Sequence, residues 1–361
     1  MRTELTKLLN ITYPIIQAPM AGGISTPELV AAVSNHGGLG MIGAGYLSAE
    51  QMKQQVQEVR KQTTQPVGVN LFVPEEVEVT GKELETADHF LQGVREELGI
   101  EKQSAPTIPS EEDRWQAFEE QVDVIIRERL PVCSFTFGLP PNDVITEMKK
   151  KNIILIGTAT TVEEALAVQE AGLDMVVVQG SEAGGHRGNF INDHEGSLIG
   201  LMSLIPQTVD HVDIPVIAAG GIMDGRGLSA AFALGAQGVQ MGTAFLTCTE
   251  SGASSAHKQA VMETSEEKTV LTRAFSGKWA RGIQNSFIAN SRNIESQLPG
   301  FPVQNILTKH MRKIAGEELN TDYMSLWSGQ SPRLAEPSTA AELINRVMEE
   351  AKDTVQRLSN S

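Results

Sequence analysis

The stretch "QEAGLDMVVVQG", Gln169 to Gly180, runs directly into "SEAGGHRGNF", Ser181 to Phe190. Its first part ends a helical pattern at Gly172, and a nearly continuous apolar run, Met175 to Val178, begins three residues later. A short apolar run without polar alternation fits a strand buried on both faces, which is the habit of parallel sheets. An echo lies downstream. "FALGAQGVQMGT", Phe232 to Thr243, aligns Gly172 on Gly235 and Val176 on Val239. In both, a helix closes on a glycine able to take a left-handed conformation and the next strand follows at once. One helix-to-strand unit is therefore used more than once.

Working outward, the same unit recurs along the chain. Strand candidates fall at 14–20, 38–43, 67–73, 132–137, 153–158, 175–180, 215–221 and 238–245. The segments between them, such as "STPELVAAVSNHG" and "TVEEALAVQEAG", carry apolar residues at intervals of three and four, with Ser25 and Thr161 as cap candidates. Eight buried strands with crossover helices predict an α/β fold, a (β/α)8 TIM barrel. Residues 75–115, charged and proline-containing, and the segment after about 265, ending in the amphipathic "STAAELINRVMEEAKDTVQRL", stand outside the alternation. They predict a division into a barrel domain, 1–265, and a C-terminal extension, 266–361, that packs with the 75–115 insertion as a mainly helical cap.

Composition narrows the function. With 29 Lys and Arg against 45 Asp and Glu, the net charge of −16 repels nucleic acid and anionic membranes, and an anionic ligand must rely on local donors. Two cysteines, Cys133 and Cys248, provide neither a disulfide framework nor a metal-ligand spacing, which fits buried apolar residues in a reducing cytoplasm. No signal peptide or membrane-length apolar run is present, and no HExxH-like spacing suggests a metal.

In such a barrel the loops after the strands converge on one mouth, so the polar "QGSEAGGHRG" becomes the loop after the sixth strand. Gly184 and Gly185 let the backbone come close to a flat ligand, and His186 becomes a candidate acid, base or anion-stabilising donor. "AAGGIMDG" (218–225) and "QMGTAF" (240–245) place glycines such as Gly221 and Gly242, backbone amides and the Thr243 hydroxyl after strands seven and eight, where barrels bind phosphate. Met20 offers a polarizable surface for an aromatic ring system, and the amides of Asn70 and Gln179 can donate and accept along its edge. No GxGxxG follows a strand and opens a helix, so a Rossmann dinucleotide site is not expected.

These motifs resemble the nitronate monooxygenases. The match is carried by "PIIQAPMAGGIST", "SNHGGLGMIGAG", "PVGVNLFVP", "SFTFGLP", "QGSEAGGHRG", "PVIAAGGIMDG", "QMGTAFLT" and "LWSGQ". The resemblance implies FMN as cofactor, contacted at Asn70, Gln179, Gly184, Gly221, Gln240, Met241, Gly242 and Thr243, with His186 as the active-site histidine. It further implies oxidation of alkyl nitronates, propionate 3-nitronate above all, by molecular oxygen to a carbonyl compound and nitrite, without a nicotinamide cofactor. The anionic substrate sits awkwardly with the net charge, and His186, Arg187 or Lys278 are the candidate compensating donors. Two alternatives share parts of the pattern. One is an FMN- and NAD(P)H-dependent enoyl-acyl-carrier-protein reductase, which has the "GGHxG" loop and "AAGG" turn; the other is a flavin-binding protein without catalysis.

Overall fold

The computed structural model describes residues 2–101 and 106–360. Eight parallel strands appear where the apolar runs predict them: β1 (Ile15–Gln17), β2 (Gly40–Gly43), β3 (Val67–Phe72), β4 (Val132–Thr136), β5 (Ile154–Ala159), β6 (Met175–Gln179), β8 (Val216–Ala219) and β9 (Gly238–Met241). A further two-residue strand, β7 (Gly185–His186), lies outside the barrel. The barrel strands pair in the order β1-β9-β8-β6-β5-β4-β3-β2, and a parallel bridge between Ile16 and Leu39 brings β1 back to the chain entering β2. This is a (β/α)8 TIM barrel.

The period-two geometry of strands explains why the runs had to be apolar throughout. In β6, Met175 and Val177 point into the barrel, where they meet Ile156, Ile217 and Met41. Val176 and Val178 point outward and pack under the surrounding helices. The N-terminal helix Glu4–Leu8 closes the bottom, with Leu5 and Leu9 completing the interior cluster. At the opposite end the inward positions turn polar: Asn70, Ser134, Thr136, Thr158, Gln179 and Gln240 line the mouth. Gly172 and Gly235 take φ of 85° and 104°, the left-handed conformation that the internal echo requires.

Local caps differ in one detail. Thr161 caps its helix through Glu164 N–H, but the helix Pro27–Asn35 is capped by Thr26, whose hydroxyl accepts from Leu29 N–H at 3.1 Å. Ser25 instead accepts from Met20 N–H and the Gln17 side chain, fixing the loop after β1.

The 75–115 insertion forms the helix Gly81–Glu97, and its residues 102–105 lie outside the described residues. Its last five residues already begin the helix Glu111–Arg127, whose Phe118, Val122 and Ile125 belong to the barrel core. Gly81–Glu97 packs on Val303–Glu317, and Leu91, Phe275, Phe287 and Met311 share a second core beside the mouth. The terminal helix, Ala340–Ser359, goes elsewhere. It lies against Gly225–Ala233 and Pro27–Asn35, filling the eighth place in the helical ring. A Cβ on Gly225 would fall 2.2 Å from Ala351 N, and Gly225 N–H donates to Glu350 at 2.9 Å, so the two helices cross backbone to backbone. The region beside the mouth is also less purely helical than the sequence suggests. β10 (Thr269–Thr272), β11 (Ala280–Ile283) and β7 form an antiparallel sheet joining the extension to the β6 loop.

Candidate active site

Most of the polar residues clustered after β6 are spent on holding their own loop. Arg187 is fully buried and donates to three backbone carbonyls, Gly180 at 2.6 Å, Ser197 at 2.7 Å and Gln179 at 3.0 Å. Gln179 receives Gly188 N–H at 2.8 Å and donates to His186 O at 2.9 Å, so both ends of its amide are committed. Glu164 reaches across from the neighbouring unit to accept from Phe190 and Ile191 N–H. Glu182 accepts from Leu201 N–H at the start of the next helix. Buried polar groups need such partners, and a loop this long is rigid only because it contains them.

His186 is the exception, since its ring faces the mouth cavity. Its backbone is held by pairing with Ala280, and its Nε2 lies 2.9 Å from Ser276 Oγ. Ser276 has one proton, and Lys278 O accepts it at 3.0 Å. Nε2 then carries the imidazole proton and donates to Ser276, leaving Nδ1 as an acceptor lone pair. Phe137, Phe301 and Trp327 surround the ring with centroids 5.8, 6.2 and 5.5 Å away. Burial, then the charges of Lys278 and Arg312, push its pKa down to about 3, so His186 is neutral at physiological pH.

The candidate ring contacts and phosphate contacts fall into the same cavity. Met20, Asn70, Gln179, Gly184, Gly221, Gln240, Gly242 and Thr243 all line it with His186. Met241 does not: its side chain points outward and is buried in the layer between strands and helices. The strict alternation along β9, with Gln240 inward and Met241 outward, accounts for the difference. Asn70 donates to Ser134 at 2.9 Å and Thr136 at 3.0 Å, which leaves its Oδ1 as the acceptor toward the mouth. Gly184 serves a closer neighbour than a ligand. A Cβ there would come within 2.5 Å of Ser328 C and Gly329 N, so the glycine admits the strap 327–331 across the mouth. That strap is fastened by Gly329 N–H on Thr243 Oγ1 at 3.0 Å and by Ser331 on Gly221 O at 3.0 Å. Among the described residues no loop or turn hydrogen bond engages the N–H of Gly221, Gly242 or Thr243. Unpaired amides at two adjacent glycine turns suit a phosphate-bearing cofactor.

Sequence reasoning missed Ser276, Trp327, Gly329, Ser331, Tyr46 and Arg312. Most come from the extension, where "LWSGQ" carried the signal for Trp327 and Gly329. The compensating cations also need correction. Arg187 faces carbonyls, not the cavity, and Lys278 is held by Glu75 at 2.5 Å over the Phe137 ring. Both thiols are buried, with the pKa of Cys248 pushed up to about 12 by burial and that of Cys133 raised well above the usual value, so neither is a nucleophile. Among the described residues no group of three His, Cys, Asp or Glu is placed to hold a metal, and no helix is long and apolar enough to cross a membrane.

The family model for nitronate monooxygenase matches residues 2–350. The chain belongs to the nitronate monooxygenase family. A probable nitronate monooxygenase of Staphylococcus haemolyticus is 51% identical over 97% of both chains, and one of Staphylococcus aureus strain Newman is 47% identical over 98% of this chain and 99% of its own. Among solved structures, nitroalkane oxidase from Streptomyces ansochromogenes superposes with a TM-score of 0.90 at 39% identity, covering 99% of this chain and 100% of that one. FabK from Thermotoga maritima follows at 0.79 and 31%, covering 100% of this chain and 99% of that one. Membership makes this chain an oxidoreductase acting on nitronates.

Proposed function

We propose that the chain binds FMN in the mouth cavity and oxidises alkyl nitronates, propionate 3-nitronate in particular, with molecular oxygen to a carbonyl compound and nitrite. The observation that carries this reading is a neutral histidine facing the same cavity as two glycine turns with unpaired amides. The residues fit the cofactor. Gly221, Gly242 and Thr243 would hold the phosphate; Met20 would lie against the ring system; Asn70 Oδ1 and the Gln240 amide would meet its polar edge. Bound there, FMN supplies the electron acceptor for the nitronate and passes the electrons to dioxygen. Two nitronates and one dioxygen yield two carbonyl compounds and two nitrites, so no nicotinamide is needed for the balance.

The chain's own residues set the conditions. A nitronate is already an anion, and His186 Nδ1 is the atom placed to take the proton when a neutral nitroalkane arrives instead. The Arg312 charge, one of those that depress the His186 pKa, favours the anionic substrate at the same place. The rings of Phe137, Phe301 and Trp327 limit water around it.

The test is anaerobic reduction of the flavin-loaded protein. Bleaching by propionate 3-nitronate and not by NADPH is the expected outcome. Bleaching by NADPH, coupled to loss of an enoyl thioester, would move the chain to the reductase class, and bleaching by neither would make it a flavin carrier.

A further inference from the structure

A second cavity opens above the first, between the barrel mouth and the cap, and the two share Ile24, Tyr46, Phe72 and Trp327. Its charged lining is one-sided. Among the described residues, Arg114, Lys309, Arg312 and Lys313 line it against one acid, Glu75, which Lys278 holds in an ion pair, while Lys313 also pairs with Glu317 at 3.7 Å. In a chain of net charge −16 this is the reverse of the average surface, and a cationic crevice concentrates anions locally.

Arg312 is distinctive within this lining. Its Nε donates to Thr308 Oγ1 at 3.1 Å, and its Nη2 donates to Asn305 O at 2.9 Å and Asn305 Oδ1 at 2.7 Å. These bonds fix the guanidinium plane from the helix side. The Nη1 edge makes no hydrogen bond to the described residues, and none of their carboxylates forms an ion pair with Arg312. Burial nevertheless lowers its pKa, and its charge is felt by both Tyr46 and His186. A largely enclosed cation without a counter-charge is costly unless a ligand provides one. A preoriented guanidinium whose Nη1 alone is free presents two N–H donors end-on, which suits a carboxylate oxygen better than a diffuse anion.

We infer that Arg312 anchors a carboxylate on the substrate's carbon chain, with the nitronate end at His186, and so selects carboxylated nitronates over plain alkyl nitronates. This inference rests on the nitronate reading and adds a specificity-determining residue to it. The anchored carboxylate also counters the Arg312 charge that depresses His186, which restores some basicity to the imidazole only when the matching substrate is in place.

The experiment compares propionate 3-nitronate with propane 1-nitronate, in which a methyl replaces the carboxylate, on wild type, Arg312→Met and Arg312→Lys. Loss of a hydrogen-bonded charge pair predicts that Arg312→Met lowers kcat/KM for the carboxylated substrate by roughly 10- to 100-fold more than for propane 1-nitronate. The lysine variant should recover part of the difference, because it keeps the charge and loses the fork. Succinate, which cannot react, should perturb the flavin absorbance of wild type and not that of Arg312→Met. Thermal unfolding close to wild type excludes general misfolding; if Arg312→Met unfolds early, the lysine variant and the succinate titration of wild type decide. Equal losses for both substrates, or a wild type indifferent to succinate, would overturn the assignment of Arg312. If no nitronate is turned over at all, the functional reading fails instead, and the succinate titration still reports on the anion site.

Discussion

Replacing Arg187 by methionine tests whether the histidine loop is held mainly from within. The substitution keeps a side chain as long as the arginine stem but removes the guanidinium and every donor. Three buried carbonyls, on Gly180, Gln179 and Ser197, lose their guanidinium partners at 2.6 to 3.0 Å. A hydrogen bond to a charged group contributes about 1.5 to 3 kcal/mol, so the sum approaches roughly 4 to 9 kcal/mol. Two effects reduce it: the cost of burying the guanidinium disappears, and the apolar replacement recovers packing. A net loss of about 3 to 5 kcal/mol remains. For a chain of 361 residues, an unfolding entropy near 2.1 cal/mol/K per residue converts this to a Tm lower by about 4 to 7 °C. Thermal unfolding at pH 7, with flavin content measured in parallel, is the assay, and Arg187→Lys should lie between wild type and Arg187→Met. Activity should fall as well, because the neighbouring His186 depends on the same loop. A Tm within about 1 °C of wild type, with full activity, would show that the loop is held from elsewhere and refute the reasoning.

Three further outcomes follow from the site. Gly221→Val should give protein largely free of flavin by its absorbance ratio, since φ is 65° and an added Cβ lies 3.2 Å from Glu182 Cβ; full flavin content would remove the phosphate from this turn. His186→Asn should retain flavin while turnover of neutral nitroalkanes falls by about 10² to 10⁴ and that of pre-formed nitronate by less, with equal losses indicating that the histidine only orients the anion. His186 and His257 have folded pKa values lowered from 6.5 to about 3 and about 4, mainly by burial, so the unfolded chain binds more protons between those limits. Their contribution to stability is complete above pH 6.5 and is lost as pH falls below it. The urea midpoint should drop between pH 6.5 and 4, and His257→Gln should make the slope shallower by up to about 1.4 kcal/mol per pH unit; an unchanged slope would mean that His257 is not buried neutral.

The barrel was legible because each strand buries two faces and therefore writes itself as an apolar run closed by glycine. The destination of the terminal helix was not. Its stripe of Leu343, Ile344, Val347 and Met348 declares a buried face, but the choice of the ring over the cap is made at Gly225, over a hundred residues away. β7 was illegible for a related reason: two residues become a strand only because β11 is delivered beside them. In the site, positions at strand ends were readable from alternation alone, and the same alternation, applied to β9, turns Met241 away from the cavity. Ser276 and Arg312 left almost no local trace. The run "TKHMRK", rich in cations within an acidic chain, was the available signal for the second.

The strap 327–331 also gives the chain an order of assembly. All eight barrel strands have been made once residue 241 is added, yet the mouth is not closed until Gly329 reaches Thr243 and Ser331 reaches Gly221. At ~5 to 20 residues per second, translation needs a further ~5 to 18 s to deliver those residues. During that interval the nascent barrel exposes its glycine turns without their cover, and the helix that completes the ring is made later still. A nascent chain therefore carries a finished barrel with an uncovered mouth until the segment 327–331 emerges.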